Sequence, residues 1–113
     1  MSGLTTHVLD TMHGRPAAGL GLRLWRGADR LVSAITNMDG RVDQPLLSAQ
    51  AIAPGLYRLE FDVGEYFRDL GVDLPTPAFL ETVILDFGIA DPGSHYHVPL
   101  LVSPYGYSTY RGS

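Results

Sequence analysis

Residues 21–36 read GLRLWRGADRLVSAIT. In the first half, Leu22 and Leu24 alternate with larger polar or amphipathic residues, a period of two that is typical of a strand with one buried face. Gly27-Ala28-Asp29 then supplies turn residues, and a second apolar segment follows over Leu31–Thr36. The stretch therefore predicts a β-hairpin.

On both sides of the hairpin, thirteen Gly and eight Pro residues divide the chain into short segments. The segment that begins at Pro54-Gly55 alternates apolar and charged residues up to Asp62, whereas Gly64–Leu70 has helical spacing over about two turns. Seven or eight short strands and one short helix favour an all-β sandwich of two packed antiparallel sheets. The hairpin contributes Gly21–Arg26 and Leu31–Thr36. The other predicted strands are Leu4–Asp10, Phe79–Phe87, Tyr96–Ser103 and Tyr105–Arg111.

The composition fits one domain over residues 1–113 and excludes several classes of function. Apolar residues make up 45% of the chain, enough to bury a single core. A net charge of -4 offers no surface for a phosphate backbone, so nucleic acid is not expected as a partner. The chain has no cysteine and therefore no disulfide or thiolate chemistry. No stretch reaches the about 20 apolar residues of a membrane helix. Because Met1–Thr6 lacks an export signal, we expect a cytoplasmic protein without membrane contact.

Histidines supply the first candidates for chemistry. His7 lies inside the first predicted strand, where a lone histidine is most often of no functional consequence. His95 and His97 are two residues apart, so alternation places both imidazoles on one face of a strand. That spacing suits a metal site or a proton relay. No acidic or cysteine partner is near in sequence, and we expect no metal or other cofactor.

Arg41 and the carboxy-terminal segment are the other candidates. The residues Asn37-Met38-Asp39-Gly40 predict a tight turn, from which Arg41 would project either to a ligand or to solvent. Chain ends are usually polar and featureless, yet residues 105–113 read YGYSTYRGS. Three tyrosines and an arginine indicate that this end is held down, by a ligand or by a neighbouring subunit.

Three segments resemble the motifs of one enzyme family. LTTHVLDTMHGRPA over Leu4–Ala17, TNMDGR over Thr36–Arg41 and HVPLLVSPYGYSTYRGS over His97–Ser113 are similar to those of 5-hydroxyisourate hydrolases. The resemblance extends over essentially the whole chain, and the closing Tyr-Arg-Gly-Ser is its most discriminating part. Transthyretin, the thyroid-hormone carrier of the same fold, lacks that tetrapeptide and lacks the histidine of the first-strand motif.

The resemblance implies a transthyretin-like sandwich of two four-stranded sheets, assembled as a homotetramer with active sites in a channel between dimers. It implies hydrolysis of 5-hydroxyisourate to 2-oxo-4-hydroxy-4-carboxy-5-ureidoimidazoline, a step in the degradation of urate to allantoin, without a cofactor. It assigns catalysis to His7, Arg41, His97 and Ser113, and substrate binding to His7, Arg41, Tyr110, Arg111 and Gly112.

Acid–base catalysis with electrostatic stabilisation is the chemistry expected of these residues. A neutral imidazole, with an ordinary pKa of about 6.5, can accept a proton from water and later return it to the leaving nitrogen. We expect His7 and His97 to share this work, one as the base and the other orienting water or donating a proton. The sequence leaves open which does which. Arg41 and Arg111 are expected to donate hydrogen bonds to substrate carbonyls.

Two other functions stay open at this point. A transthyretin-like carrier would use the same channel for an apolar or aromatic ligand, although two imidazoles and two guanidiniums would line such a channel poorly. A structural sandwich module would carry these polar residues at its surface without using them. Whether zinc can occupy the histidine site is also open.

Overall fold

The computed structural model describes residues 3–112, and within that range the chain forms two four-stranded sheets and one helix. The sheets have the strand orders β2-β1-β7-β8 and β4-β3-β5-β6. The predicted sandwich with one short helix is therefore confirmed. No helix among these residues is long and apolar enough to cross a membrane. The elements are β1 (Gly3–Asp10), β2 (Arg15–Pro16), β3 (Gly21–Arg26), β4 (Asp29–Ile35), β5 (Gly55–Phe61), α1 (Val63–Asp69), β6 (Val83–Ile89), β7 (His95–Ser103) and β8 (Gly106–Thr109).

The predicted hairpin forms one side of the second sheet, with β4 as an edge strand and β3 inside. β3 pairs with β4 on one side and with β5 on the other, both antiparallel. Leu22 and Leu24 are buried on the inner face, next to Leu59 and Phe61 of β5. The inner faces of the two sheets enclose one core, because the alternate residues of the first sheet are buried as well. These are Leu4 and Val8 of β1 and Tyr96, Val98, Leu100 and Val102 of β7.

The first sheet is mixed, which differs from the expectation that both sheets are antiparallel. β1 runs parallel to β7, from Gly3 opposite His95 to Asp10 opposite Val102. Parallel neighbours need a long crossover connection, and here that connection includes the whole second sheet. The alternation within a strand is the same for both directions of pairing, so it could not reveal this one. The other paired strands are antiparallel.

The strand predicted for Phe79–Phe87 begins only at Val83. Glu81 explains the difference. Its carboxylate accepts hydrogen bonds from the guanidinium of Arg68 on α1, and its carbonyl oxygen accepts from the backbone N–H of Gly64 at 3.0 Å. These contacts hold the segment before Val83 against the start of the helix, so it does not pair with β5.

The last strand is shorter than the predicted Tyr105–Arg111, since β8 ends at Thr109. The residue after Thr109 is Tyr110, and it falls opposite Pro99 of β7. Proline has no N–H to donate to the ladder. The same register resumes further along, where Gly112 bridges to His97. Proline therefore interrupts the pairing without releasing the chain end.

A buried carboxylate joins the end of β1 to α1. Asp10 is 1% exposed and accepts hydrogen bonds from His13 N at 3.0 Å, His13 Nδ1 at 2.6 Å and the Tyr66 hydroxyl at 2.8 Å. Burial by itself raises the pKa of Asp10, but these hydrogen bonds outweigh it and hold the pKa below its ordinary value. Burial and the contact with Asp10 raise the pKa of Tyr66 to about 12, so the phenol remains a donor. Ionised Asp10 thus ties the helix to the turn after β1.

We expect Asp10→Asn to lower the free energy of unfolding by about 1–3 kcal/mol at neutral pH, because the three hydrogen bonds to Asp10 lose their buried, ionised acceptor. The folded state lowers the pKa of Asp10, so its contribution is fully present above the unfolded-state pKa of about 3.9. The contribution is lost as the pH falls through the folded-state pKa. Denaturant unfolding at a series of pH values should show the two proteins converging in that acid range.

Asp73→Asn, at an exposed carboxylate, is the matched control for this measurement. It should unfold like the wild type at every pH. A stability gap for Asp10→Asn that keeps its size throughout the acid range would contradict the role given to the carboxylate.

Candidate active site

The outer face of the β2-β1-β7-β8 sheet carries the histidines that the sequence indicates. Alternation turns Thr5 and His7 of β1 outward, and His95 and His97 of β7 face the same side. The parallel register sets Thr5 opposite His97 and His7 opposite Pro99. All four polar side chains are half-buried. Residues from the two ends of the chain are thereby brought onto one surface.

His7 is oriented by the backbone of the turn that precedes Arg41. Its Nε2 lies 2.9 Å from the carbonyl oxygen of Asp39. A carbonyl oxygen only accepts, so Nε2 carries the hydrogen, and in the neutral ring the lone pair is on Nδ1. The neutral tautomer that this contact selects has its proton-accepting nitrogen at Nδ1.

Arg41 reaches this face because the turn before it is fastened to β1. The backbone of Arg41 bridges to that of His7, and the carbonyl oxygen of Gly40 accepts from Val8 N at 2.8 Å. Gly40 has a φ of 74°, and a Cβ at this position would collide with the carbonyl oxygen of Val8. Only glycine fits this conformation and this close approach. The predicted tight turn is confirmed.

Asn37 braces the same turn from within. Its Oδ1 accepts hydrogen bonds from Asp39 N at 2.9 Å and from Arg41 N at 3.1 Å. Its own backbone N–H donates to the carbonyl oxygen of Arg41 at 2.7 Å. The exposed guanidinium of Arg41 therefore projects from a rigid support.

His97 has a lowered pKa. Burial is the largest cause, the positive charge of Arg41 lowers the pKa further, and His7 and His95 add smaller effects. The imidazole of His97 is therefore neutral at physiological pH. It is also close enough to Arg41 for the guanidinium to act on it.

The hydroxyl of Thr5 lies between the two imidazoles of β7. Thr5 Oγ1 is 2.8 Å from His97 Nδ1 and 3.2 Å from His95 Nε2, and the two rings are nearly parallel, at 13°. Within residues 3–112, no three His, Cys, Asp or Glu side chains are grouped so as to hold a metal ion. The two imidazoles of β7 are thus connected through the Thr5 hydroxyl.

The carboxy-terminal segment reaches His97 through Gly112. The backbone N–H of Gly112 donates to the carbonyl oxygen of His97 at 2.7 Å. A Cβ at position 112 would lie 2.7 Å from His97 Cδ2, closer than a side chain can approach. The absence of a side chain thus lets the chain end pass directly along the imidazole.

Among the other residues of the tail, Arg111 places its guanidinium on the core-facing side of β7. The guanidinium of Arg111 is 4.0 Å from the centre of the core-facing Tyr96 ring and donates to the carbonyl oxygen of His95 at 3.2 Å. It therefore anchors the chain end on the side of the strand away from the imidazoles, and its contact with a substrate stays a prediction. Tyr110 is 60% exposed beside this anchor. Ser113 lies outside the described residues.

Two residues of the site were absent from the candidates found in the sequence. Thr5 joins the imidazoles and Asn37 braces the turn, but threonine is common in strands and asparagine in turns. The alternation of faces along a strand could have identified Thr5, because it lies two residues before His7 and therefore on the same face.

The chain is similar to known proteins over nearly its whole length. The model of the HIUase/Transthyretin family matches residues 4–112. The 5-hydroxyisourate hydrolase 2 of Rhizobium meliloti is 62% identical over 97% of this chain and 95% of that protein. The crystal structure of (S)-allantoin synthase superposes with a TM-score of 0.94 at 43% identity over 99% of this chain, which spans 44% of that protein. The structure of Klebsiella pneumoniae 5-hydroxyisourate hydrolase has a TM-score of 0.85 at 36% identity, over the full length of both chains.

We expect Gly112→Ala to displace the His97 imidazole and to lower the activity of the site roughly 10²-fold, since a misplacement of about 1 Å can have an effect of that size. Histidine NMR and steady-state turnover measure the two consequences. Gly106→Ala is the control, because a Cβ there has its nearest neighbour at 3.9 Å. Unchanged His97 resonances with unchanged turnover in Gly112→Ala would contradict the close approach.

Proposed function

We infer the activity of this chain from its family and from the geometry of its site. The chain belongs to the HIUase/Transthyretin family. We propose that it hydrolyses 5-hydroxyisourate, the compound named in its relatives. The observation that carries the proposal is the convergence of His7, Arg41 and His97 on one face of a sheet. Two imidazoles and a guanidinium suit the opening of a cyclic amide by water.

Hydrolysis of a cyclic amide has three requirements. Water must lose a proton as it attacks the carbonyl carbon, the carbonyl oxygen must carry the negative charge that develops, and the ring nitrogen must gain a proton as the C–N bond breaks. Only the atoms of one water molecule are added, so the ring opens to 2-oxo-4-hydroxy-4-carboxy-5-ureidoimidazoline without a cofactor.

His7 takes up the proton and returns it. Its Nδ1 holds a lone pair because Nε2 donates to the carbonyl oxygen of Asp39 at 2.9 Å. Nδ1 accepts a proton from the attacking water, and the resulting imidazolium gives it to the leaving nitrogen. The same side chain thereby serves both proton transfers.

Arg41 stabilises the oxyanion. Its guanidinium is exposed and forms no ion pair with a carboxylate among residues 3–112, so its donors are available to a ligand. Its planar donors match the carbonyl edges of an oxidised purine ring. Losing one donor to an oxyanion costs about 2.7–4 kcal/mol, or roughly 10²–10³-fold in rate.

His97 and the chain end complete the site. Because burial and Arg41 lower the pKa of His97, this imidazole contacts the substrate in its neutral form and adds no second cation. Gly112 lies along the His97 ring. We assign substrate binding to Tyr110, Arg111 and Gly112 of the tail, and a catalytic role to Ser113.

A transthyretin-like carrier of a small apolar ligand is the alternative function. Such a ligand would cover Arg41 and the imidazoles of His7 and His97 without replacing their hydrogen bonds to water. Burying polar and charged groups in this way is unfavourable. The polarity of the face therefore favours a hydrolase acting on a small, oxygen-rich substrate.

A homotetramer, built as a dimer of dimers, would enclose the site. In one chain Arg41 is exposed and the imidazoles lie on an open sheet face, whereas a site for a small ring needs walls. β6 and β8 are edge strands, so each can present backbone groups to a second copy. We further propose that residues 1–113 form a single domain and that the protein acts in the cytoplasm.

The activity is tested by generating 5-hydroxyisourate with a urate oxidase and following its ultraviolet decay. We expect the protein to accelerate the decay, and His7→Ala, Arg41→Gln and His97→Ala each to lower kcat/KM by roughly 10² or more. Arg41→Gln should also raise the pKa of His97 in an NMR titration, because it removes a positive charge that lowers this pKa.

Arg30→Gln is the matched control, since Arg30 is an exposed arginine on β4 of the other sheet. It should hydrolyse the substrate at the wild-type rate. If the wild type does not accelerate the decay, the proposed function is wrong. If all three site variants keep the wild-type rate, the function stands and the mechanism is wrong.

A further inference from the structure

One hydroxyl group contacts both imidazoles of β7. Thr5 stands opposite His97 in the parallel register, and its Oγ1 lies within hydrogen-bond distance of His97 Nδ1 and His95 Nε2, at 2.8 and 3.2 Å. A hydroxyl has one hydrogen to donate and can accept two hydrogen bonds. The direction in which the Thr5 hydrogen points therefore decides where the hydrogen of His97 lies.

His95 sets that direction. Its Nδ1 is buried and has no hydrogen-bond partner among residues 3–112. If the neutral ring carried its hydrogen on Nδ1, an N–H would be buried without an acceptor, and orphaned N–H groups are rarer in proteins than unpaired acceptors. With the hydrogen on Nε2, His95 instead donates to Thr5 Oγ1.

Thr5 then donates its own hydrogen to His97. The alternative, in which Thr5 accepts from both imidazoles, requires another acceptor for its hydrogen, and Thr5 Oγ1 has no third partner among the described residues. His97 Nδ1 is therefore an acceptor. The neutral His97 ring must carry its hydrogen on Nε2.

We propose that Thr5, supported by His95, is a positioning residue that holds His97 as the Nε2–H tautomer, so that His97 donates a hydrogen bond to the substrate oxygen and leaves the role of base to His7. This inference rests on the proposed function and divides the labour within the histidine pair. Asp39 acts on His7 in the complementary way, since its carbonyl oxygen leaves the lone pair on Nδ1. The site thus offers a ligand one lone pair, on His7 Nδ1, and one N–H group, on His97 Nε2.

The electrostatics of the site support this division. Burial and the charge of Arg41 lower the pKa of His97, so the ring stays neutral and Nε2–H is its one donor towards a ligand. A neutral imidazole can stabilise a developing oxyanion beside a guanidinium without the repulsion of a second cation. His97 then shares the oxyanion with Arg41.

Nitrogen NMR of imidazole-labelled protein, at a pH above the imidazole pKa values, distinguishes the two tautomers. We expect the hydrogen of His97 on Nε2 in the wild type, and a mixture of tautomers in Thr5→Val, which keeps the shape of threonine and removes the hydroxyl. Turnover of 5-hydroxyisourate by Thr5→Val should fall roughly 10- to 100-fold in kcat, with a smaller change in KM. Thr5→Ser should restore both the tautomer and the turnover.

Thr6→Val separates this role from a general effect on the strand pair. Thr6 Oγ1 donates to the carbonyl oxygen of Val98 at 2.7 Å, between the same two strands but on the core face. Loss of this hydrogen bond should lower the free energy of unfolding and leave the His97 tautomer unchanged. A wild-type His97 with its hydrogen on Nδ1, or a Thr5→Val variant with an unaltered tautomer, would overturn the proposal. The tautomer is measured without substrate, so a wild type that fails to hydrolyse 5-hydroxyisourate would count against the proposed function separately.

Discussion

Parallel pairing of β1 with β7 is the constraint on which the site depends. It places Thr5 opposite His97, 92 positions away in the chain, and sets His7 on the same outer face. The inward residues of both strands pack in the core, as Val8 and Leu100 do. A slip of one residue would exchange the two faces, burying the histidine of β1 and exposing its apolar neighbours. The register that satisfies the core is therefore also the register that assembles the site.

Two backbone bridges bring the remaining groups to this face. Arg41 joins β1 beside His7, and Gly112 joins β7 beside His97. Each attachment uses a glycine for close approach, Gly40 in the turn and Gly112 at the chain end. The result is one permanent cation next to an imidazole that stays neutral. In the proposed mechanism, this combination provides a proton acceptor, a neutral donor and a charge for the oxyanion without repulsion among them.

Local patterns in the sequence predicted most of the fold, and contacts between distant segments account for the remainder. The hairpin of Gly21–Arg26 with the strand predicted over Leu31–Thr36, and the turn before Arg41, depend on adjacent residues, and both are confirmed. The predicted start of β6 was wrong because Glu81 forms hydrogen bonds with Arg68 of α1, a contact that no local pattern reveals. The direction of β7 relative to β1 and the hydroxyl of Thr5 between two imidazoles emerge only once the strands are paired. The placement of the Arg111 guanidinium on the core side of β7 likewise depends on how the chain end pairs with that strand.

A crystal structure with a planar oxopurine that resists hydrolysis is the most direct measurement of whether these residues act on one ligand. We expect the ring on the outer face of the first sheet, with an oxygen within hydrogen-bond distance of the Arg41 guanidinium and His97 Nε2, and with a ring carbonyl carbon facing His7. A ligand bound away from this face, in contact with none of His7, Arg41 and His97, would contradict the convergence of two imidazoles and a guanidinium on one substrate.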